Sequence, residues 1–163
     1  MEKIAFFPGS FDPIHLGHIS LIKRALPLFD KIYVAIGVNA GKTPMFELNQ
    51  RFKWCESACK HMFPEEWSAG KIRVTFYEDL TANYCKNVGA KYIIRGLRGG
   101  ADFEYENMIY HAQKNINPDL ETIYLITEHQ YIGISSSVIR DIHKNGGDVS
   151  NLLPVGVDLK LSN

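Results

Sequence analysis

The sequence lacks a charge bias. Eighteen Lys and Arg balance eighteen Asp and Glu over 163 residues, and the formal net charge is zero. That balance removes the bulk basic field on which nucleic-acid binding depends, so no nucleic-acid partner is expected. It leaves room for a local basic pocket. Long apolar runs are also missing: none approaches the ~20 residues that span a bilayer, and no membrane partner is expected. The N-terminus enters a strand-like run, KIAFF, at once. It shows no basic segment followed by an apolar stretch and a cleavage site, which argues against a secretory signal. Cysteine is scarce. Cys55, Cys59 and Cys85 are odd in number and show no C-x-x-C spacing. Neither a disulfide framework nor a zinc site is indicated, and a reducing, cytoplasmic setting fits best.

What is present is ordinary soluble composition, 45% apolar and 22% charged, in a chain long enough to bury a core without staples. No repeat, low-complexity segment or linker divides it, and residues 1–163 are expected to form one domain. Short β-rich runs alternate with longer helical patterns. Strands are predicted at 3–7, 31–37, 72–77, 91–96 and 122–127, and helices at 18–29, 48–62, 80–88, 102–115 and 135–144. Helix 48–62 has the clearest pattern: Leu48, Phe52, Cys55, Cys59 and Met62 make one apolar stripe, and the two cysteines are simplest as core residues. Residues 64–71, PEEWSAGK, read as a polar loop. Gly146 and Gly147 suit a left-handed helix cap. The strands at 3–7, 31–37, 91–96 and 122–127 are near-continuously apolar, as parallel strands covered on both faces are. The fold class expected is therefore α/β, a doubly wound, Rossmann-like, five-stranded parallel sheet with helices on both faces. Such sheets bind ligands beyond the carboxyl ends of their strands. The candidate loops are then 8–18, 37–47, 78–82, 95–101 and 128–135.

Two of these loops compete as phosphate sites. GVNAGKT, Gly37 to Thr43, looks like the phosphate loop of nucleoside triphosphatases, G-x-x-x-x-G-K-[ST]. Its glycines are separated by three residues rather than four, and Pro44 interrupts any helix that would follow. Consecutive N–H groups cannot then wrap one phosphate in the usual way. Lys42 remains either a solvated surface charge or a cation offered to an anionic ligand. FFPGSFDPIHLGH, Phe6 to His18, is the stronger candidate. A tight Pro-Gly turn leaves the first strand. Ser10 can donate to an anion, and His18 lies near a helix start, where N–H groups and the dipole favour phosphate. A capping histidine in a plain loop is the bland alternative for one histidine. A glycine, a hydroxyl and two histidines, His15 and His18, are harder to explain that way.

GSFDPIHLGH resembles the G-[ST]-F-D-P-x-[HT]-x-G-H motif of the nucleotidyltransferase superfamily, and ISSSVIR, Ile134 to Arg140, resembles its second motif, I-S-S-[ST]-x-x-[RK]. A third stretch, IRGLRGGADFEYE, is similar to the corresponding segment of the bacterial phosphopantetheine adenylyltransferase family, as are KTPMF and DLTANY. The resemblance runs from Ile4 to about Pro154. It implies adenylyl transfer from ATP to 4′-phosphopantetheine, with dephospho-coenzyme A and pyrophosphate as products, Mg²⁺ as cofactor and a homohexameric assembly. The acceptor phosphate is largely dianionic at neutral pH, with a second pKa near ~6, so positioning matters more than a strong base.

The resemblance also implies roles. His18 would stabilise the transition state. Ser10, the Phe11 amide and His18 would hold ATP phosphate, with Gly96, Leu97, Arg98 and Glu106 lining the nucleotide. Tyr131, Ile132, Gly133, Ile134, Ser135, Ser136 and Ser137 would close over adenine and triphosphate. Ser10, Lys42, Thr81 and Arg95 would bind the acceptor. Three departures stand out: the 64–71 loop looks long, His15 stands where some members carry threonine, and Gly99–Gly100 loosens the segment after Arg98. Asp12 could bond nearby backbone amides instead of a metal, Glu106 could be a helix-surface charge, and Tyr105 and Tyr110 could pack at a subunit interface. Related enzymes that use nicotinate mononucleotide or glycerol phosphate as acceptor, and a non-catalytic nucleotide or coenzyme A sensor, are the other readings.

Overall fold

The computed structural model describes residues 2–38 and 41–161. Asn39 and Ala40, in the middle of GVNAGKT, lie outside the described residues. Five parallel strands, β1 (Ile4–Gly9), β2 (Lys31–Gly37), β3 (Ile72–Tyr77), β4 (Tyr92–Leu97) and β5 (Glu121–Ile126), form one sheet in the order β3-β2-β1-β4-β5. Among the described residues six helices lie between and after the strands: α1 (Leu16–Ala25), α2 (Leu48–Met62), α3 (Pro64–Ser68), α4 (Thr81–Asn87), α5 (Gly100–Ile116) and α6 (Ser136–Lys144). Short 3-10 turns occupy Leu26–Leu28, His129–Tyr131, Ser150–Leu152 and Leu159–Leu161. This is the expected doubly wound α/β sheet. The chain reverses its direction of strand addition at β1 and β4, and that switch point opens the crevice where such sheets take ligands.

The pleat divides the core. Phe7 and Ala5 point to one face with Ile32, Val34 and Ile94, against α1, α2 and Ile139 of α6. Phe6 points to the other with Ala35 and Ile93, against Ala82 and Cys85 of α4. Each fully buried isoleucine of this core contributes roughly 1.5–3 kcal/mol. The predicted face of the first helical segment, Ile22, Leu26 and Phe29, is buried throughout.

Four expectations need correction. Residues 64–71 are not simply a loop. Pro64 opens α3, Glu65 and Glu66 sit in its first turn, and the Ser68 hydroxyl donates to the Pro64 carbonyl at 2.8 Å. Proline at a first helical position and acids beside the dipole's positive end favour a short helix there. The apolar stripe of α2 is rotated: Arg51, Trp54, Cys55, Ala58 and Cys59 are buried, while Met62 is exposed. Trp54 packs edge-on against Phe46, with ring centroids 4.9 Å apart, and Arg51 is drawn inward by backbone carbonyls. These two partners set the helix phase more than the outlying Leu48 and Met62 do. β5 is an edge strand, and it is half-covered rather than buried on both faces; Ile126 stands in solvent. The helix from Gly100 begins inside the segment expected to be loose, since Gly99 is its cap and Gly100 its first residue. The predicted left-handed cap of α6 is present: Gly146 has φ 77°, and the Gly147 N–H reaches back to the Ile142 carbonyl at 2.9 Å.

Candidate active site

At the carboxyl ends of β1, β2 and β4 the loops enclose a crevice of about 1100 Å³. It collects Ser10, Phe11, Asp12 and His18 from the first loop, Lys42 from the second, and Thr81 from the start of α4. Arg95, Glu106, Ser136, Ser137 and Arg140 complete the polar wall. Three of the five loops singled out in the sequence, 8–18, 37–47 and 78–82, therefore converge on one site; loop 95–101 contributes only Arg95, and loop 128–135 stays outside the lining.

The first loop is built to present backbone and imidazole. Phe11 has φ 45°, the left-handed region that a phenylalanine rarely enters. Its ring is buried beneath the loop, edge-on to Phe7 at 5.6 Å and to His18 at 4.8 Å between centroids. That anchor turns the chain so that the exposed Ser10 and the adjoining amides line the crevice. The His18 ring stacks on His15, centroids 3.7 Å apart. The His15 N–H donates to His18 Nδ1 at 3.1 Å. Burial holds His18 well below the usual histidine range, with the charges of His15 and Arg95 acting in the same direction. The ring is therefore neutral near pH 7. With Nδ1 an acceptor, its one proton is on Nε2, free to be donated.

His15 is buried too and is lowered to about 4, mainly by burial and then by Arg98. Its Nδ1 is the one buried side-chain polar atom among the described residues without a hydrogen-bond partner.

Asp12 acts on backbone amides, but on distant ones rather than the nearby ones expected. Its carboxylate accepts from the N–H groups of Met45 and Phe46, each at 2.9 Å. The amides belong to the next strand's loop, and so Asp12 ties two ligand loops together. The second motif is docked onto the first. Ser136 Oγ donates to the Pro13 carbonyl at 2.9 Å, and Arg140 Nη1 donates to the Asp12 carbonyl at 2.8 Å. Arg140 Nη2 reaches Ser137 Oγ at 3.1 Å. The proton of the Ser136 hydroxyl is thus already engaged within the protein. Ser135 is the N-cap, accepting from Val138 N–H at 3.2 Å.

Arg95 and Glu106 meet as a pair. Arg95 Nε donates to Glu106 Oε2 at 2.8 Å, Nη2 donates to Oε1, and Nη1 donates to the Pro8 carbonyl at 3.2 Å. Glu106 is the buried residue of α5, so it is no helix-surface charge. Thr81 shares a hydrogen bond of 2.9 Å with Tyr77, whose hydroxyl burial pushes up in pKa. Lys42 is exposed at the rim.

Other predicted residues do not line this crevice. Gly96 is a packing glycine: a Cβ there would lie 2.6 Å from Leu21 Cδ1. Leu97 is buried, and Arg98 pairs with Asp102 at 3.1 Å. Tyr131, Ile132, Gly133, Ile134 and Ser135 lie along the approach to α6, outside the crevice wall. Sequence reasoning missed Arg51 and Tyr77, both of which line it. Arg51 occupied a position between apolar stripe residues and was masked by the stripe. Tyr77 ended a strand and carried no motif.

The fold and this loop arrangement define a class. The cytidylyltransferase-like family matches residues 6–142. A solved structure from Vibrio parahaemolyticus, assigned as a nicotinate-nucleotide adenylyltransferase, superposes with a TM-score of 0.70 at 19% identity, over 94% of this chain and 88% of that one. That likeness speaks to the fold alone. Sequence relatives are nearer. Phosphopantetheine adenylyltransferases of Cytophaga hutchinsonii and Flavobacterium psychrophilum are 47% and 48% identical to this chain. The alignments cover 94% and 96% of this chain, and 98% of each relative. The chain belongs to the phosphopantetheine adenylyltransferase family, within the cytidylyltransferase-like class.

Proposed function

We propose that this protein transfers the adenylyl group of ATP to 4′-phosphopantetheine, releasing pyrophosphate and forming dephospho-coenzyme A, a step of coenzyme A biosynthesis. A phosphate oxygen of the acceptor bonds to the α-phosphorus, and the bond from that phosphorus to the bridging oxygen of pyrophosphate breaks. The observation that carries the reading is the neutral His18, fixed with Nε2–H available beside Ser10 in the crevice. A preorganised donor of that kind stabilises charge that grows on the α-phosphoryl oxygens in the transition state.

In this reading Ser10 and the Phe11 amide hold phosphate oxygens, and Lys42 and Arg95 take the acceptor phosphate, the first as a mobile point charge, the second as a fixed fork. Glu106 sets that fork before it meets the nucleotide side. Thr81, with Tyr77, contacts the pantetheine arm. Gly96, Leu97 and Arg98, with residues 131–137, form the adenine side next to His15. Among the described residues no cluster of three or more His, Cys, Asp or Glu side chains could hold a metal ion. The residues therefore do not fit a resident Mg²⁺ cage. Mg²⁺ would come with the triphosphate, held by its oxygens and by water, and would neutralise its charge.

The assembly proposed is a homohexamer, and the setting cytoplasmic. Exposed Phe103, Tyr105 and Met108 on α5 supply apolar surface for such contacts, while Tyr110 is partly covered and reaches Glu121 at 3.3 Å. Among the described residues no helix is long and apolar enough to cross a membrane. The test is a panel of acceptors with ATP and Mg²⁺. A kcat/KM for 4′-phosphopantetheine at least a hundredfold above those for nicotinate mononucleotide and glycerol phosphate is expected. Equal or inverted preference overturns the assignment.

A further inference from the structure

Three of the four arginines in or beside the crevice are matched by a carboxylate. Arg95 has Glu106, Arg98 has Asp102 at 3.1 Å, and Arg140 has Asp12 at 3.7 Å. Arg51 differs. It is 4% exposed, and among the described residues no carboxylate lies within ion-pair distance of it. Its Nε donates to the Phe46 carbonyl at 2.9 Å and its Nη1 to the Ser10 carbonyl at 2.8 Å. Two carbonyls accept two of the five N–H groups of a guanidinium. They do not neutralise its charge. An unmatched buried cation is costly, and an arginine keeps its proton at any ordinary pH. The remaining face of this one borders the crevice.

The placement selects the kind of anion. Arg51 stands on the first turns of α2, just past the loop that carries Lys42, and its two carbonyl partners lie in the Ser10 loop and the Phe46 loop. Asp12 crosses between the same two loops through Met45 and Phe46 N–H. The second nucleotide motif, at α6, bonds other carbonyls of the first loop, those of Pro13 and Asp12, and, among the described residues, none of the Phe46 loop. Arg51 therefore belongs to the β1–β2 half of the crevice.

We propose that Arg51 is a phosphate-binding and positioning residue for the acceptor: its buried, carboxylate-free guanidinium locks the Ser10 loop to the Lys42 loop and supplies a fixed counter-charge for the acceptor's phosphate in addition to Arg95. This rests on the acceptor reading above. A purely structural arginine would affect every ligand of these loops alike. A counter-charge for one phosphate discriminates between a phosphorylated and an unphosphorylated arm, because arginine is matched to phosphate by charge and fork geometry together.

The test is binding by calorimetry of 4′-phosphopantetheine, of pantetheine without its phosphate, and of ATP. The proteins are wild type, Arg51→Lys and Arg51→Met, each confirmed folded by circular dichroism. In wild type the phosphorylated arm should bind at least thirtyfold more tightly than the unphosphorylated one. Arg51→Met should cut that ratio at least tenfold, with ATP affinity falling by a clearly smaller factor. Arg51→Lys should retain part of the ratio, since it keeps the charge and loses the fork, and it serves alone if the methionine variant does not fold. An unchanged ratio in the folded variants overturns the proposal, as does a loss shared equally by ATP and both arms. Turnover of wild type is measured alongside. A wild type that binds the phosphorylated arm selectively but makes no dephospho-coenzyme A refutes the reaction while leaving the Arg51 comparison fully readable.

Discussion

Replacing His18 with alanine isolates the chemical claim. The ring offers one N–H, because Nδ1 accepts from the His15 amide at 3.1 Å. One preorganised donor to developing charge is worth about 2.7–4 kcal/mol, a fall in kcat of roughly 10²–10³. The ring also stacks on His15 and meets Phe11 edge-on, so alanine should cost some stability as well, on the order of 0.5–1.5 kcal/mol per aromatic contact. The two effects separate in measurement. Pyrophosphate release at saturating substrates gives kcat, calorimetry gives ATP affinity, and urea denaturation gives stability. ATP affinity should move by only a few-fold, since the donor works mainly in the transition state. His18→Gln, which keeps an amide donor, should recover part of kcat. The pH profile adds a check. Burial keeps the ring neutral well below the usual histidine range, so the acid limb of kcat/KM should follow the acceptor phosphate near ~6 and persist in His18→Gln. A fall in kcat below tenfold, or an ATP affinity weakened as much as kcat, would refute the assignment of His18 as transition-state donor.

Two further outcomes follow from buried charges. Glu106→Gln leaves Arg95 with Pro8 and a weaker amide in place of its bidentate carboxylate. Charge-assisted hydrogen bonds are worth about 1.5–3 kcal/mol each, and Arg95 is partly exposed, so the low end applies. The acceptor KM should rise by about tenfold with kcat little changed, and an unaltered acceptor KM would show that the pair does not orient Arg95 for phosphate. His15 is lowered from 6.5 to about 4, so the unfolded chain binds the extra proton first. Its contribution to stability is complete above pH 6.5 and is lost as the pH falls toward 4. At about 1.4 kcal/mol per pH unit that amounts to about 3 kcal/mol, and urea titrations across this window should show a shallower slope for His15→Gln than for wild type. Identical slopes would contradict the burial-driven shift.

Much of this site could be read from residue order, because the chemistry sits in contiguous loops. Pro8 to His18 and Ile134 to Arg140 keep their motif residues together, and a parallel sheet sends both loops to the same edge. β2, β3 and α2 have the boundaries that pattern and period predict. What stayed hidden depends on contacts across the chain. The phase of α2 is set by Phe46 against Trp54 and by the carbonyls that draw Arg51 inward. Spacing within the helix holds no trace of either. Asp12 looked like a local turn residue, and it bonds amides 33 and 34 positions away. Resemblance alone sends Glu106 and Arg95 to different ligands, whereas the fold joins them as a pair. The short α3 was hidden by its polar residues, though Pro64 and the two acids after it are signals for a helix start.

The most direct test is a timed reaction of purified protein with ATP, Mg²⁺ and 4′-phosphopantetheine, resolved by mass spectrometry. The prediction is dephospho-coenzyme A and pyrophosphate in equal amounts, with formation slowed at least a hundredfold in His18→Ala. Absence of dephospho-coenzyme A from the wild-type reaction would contradict the proposed function.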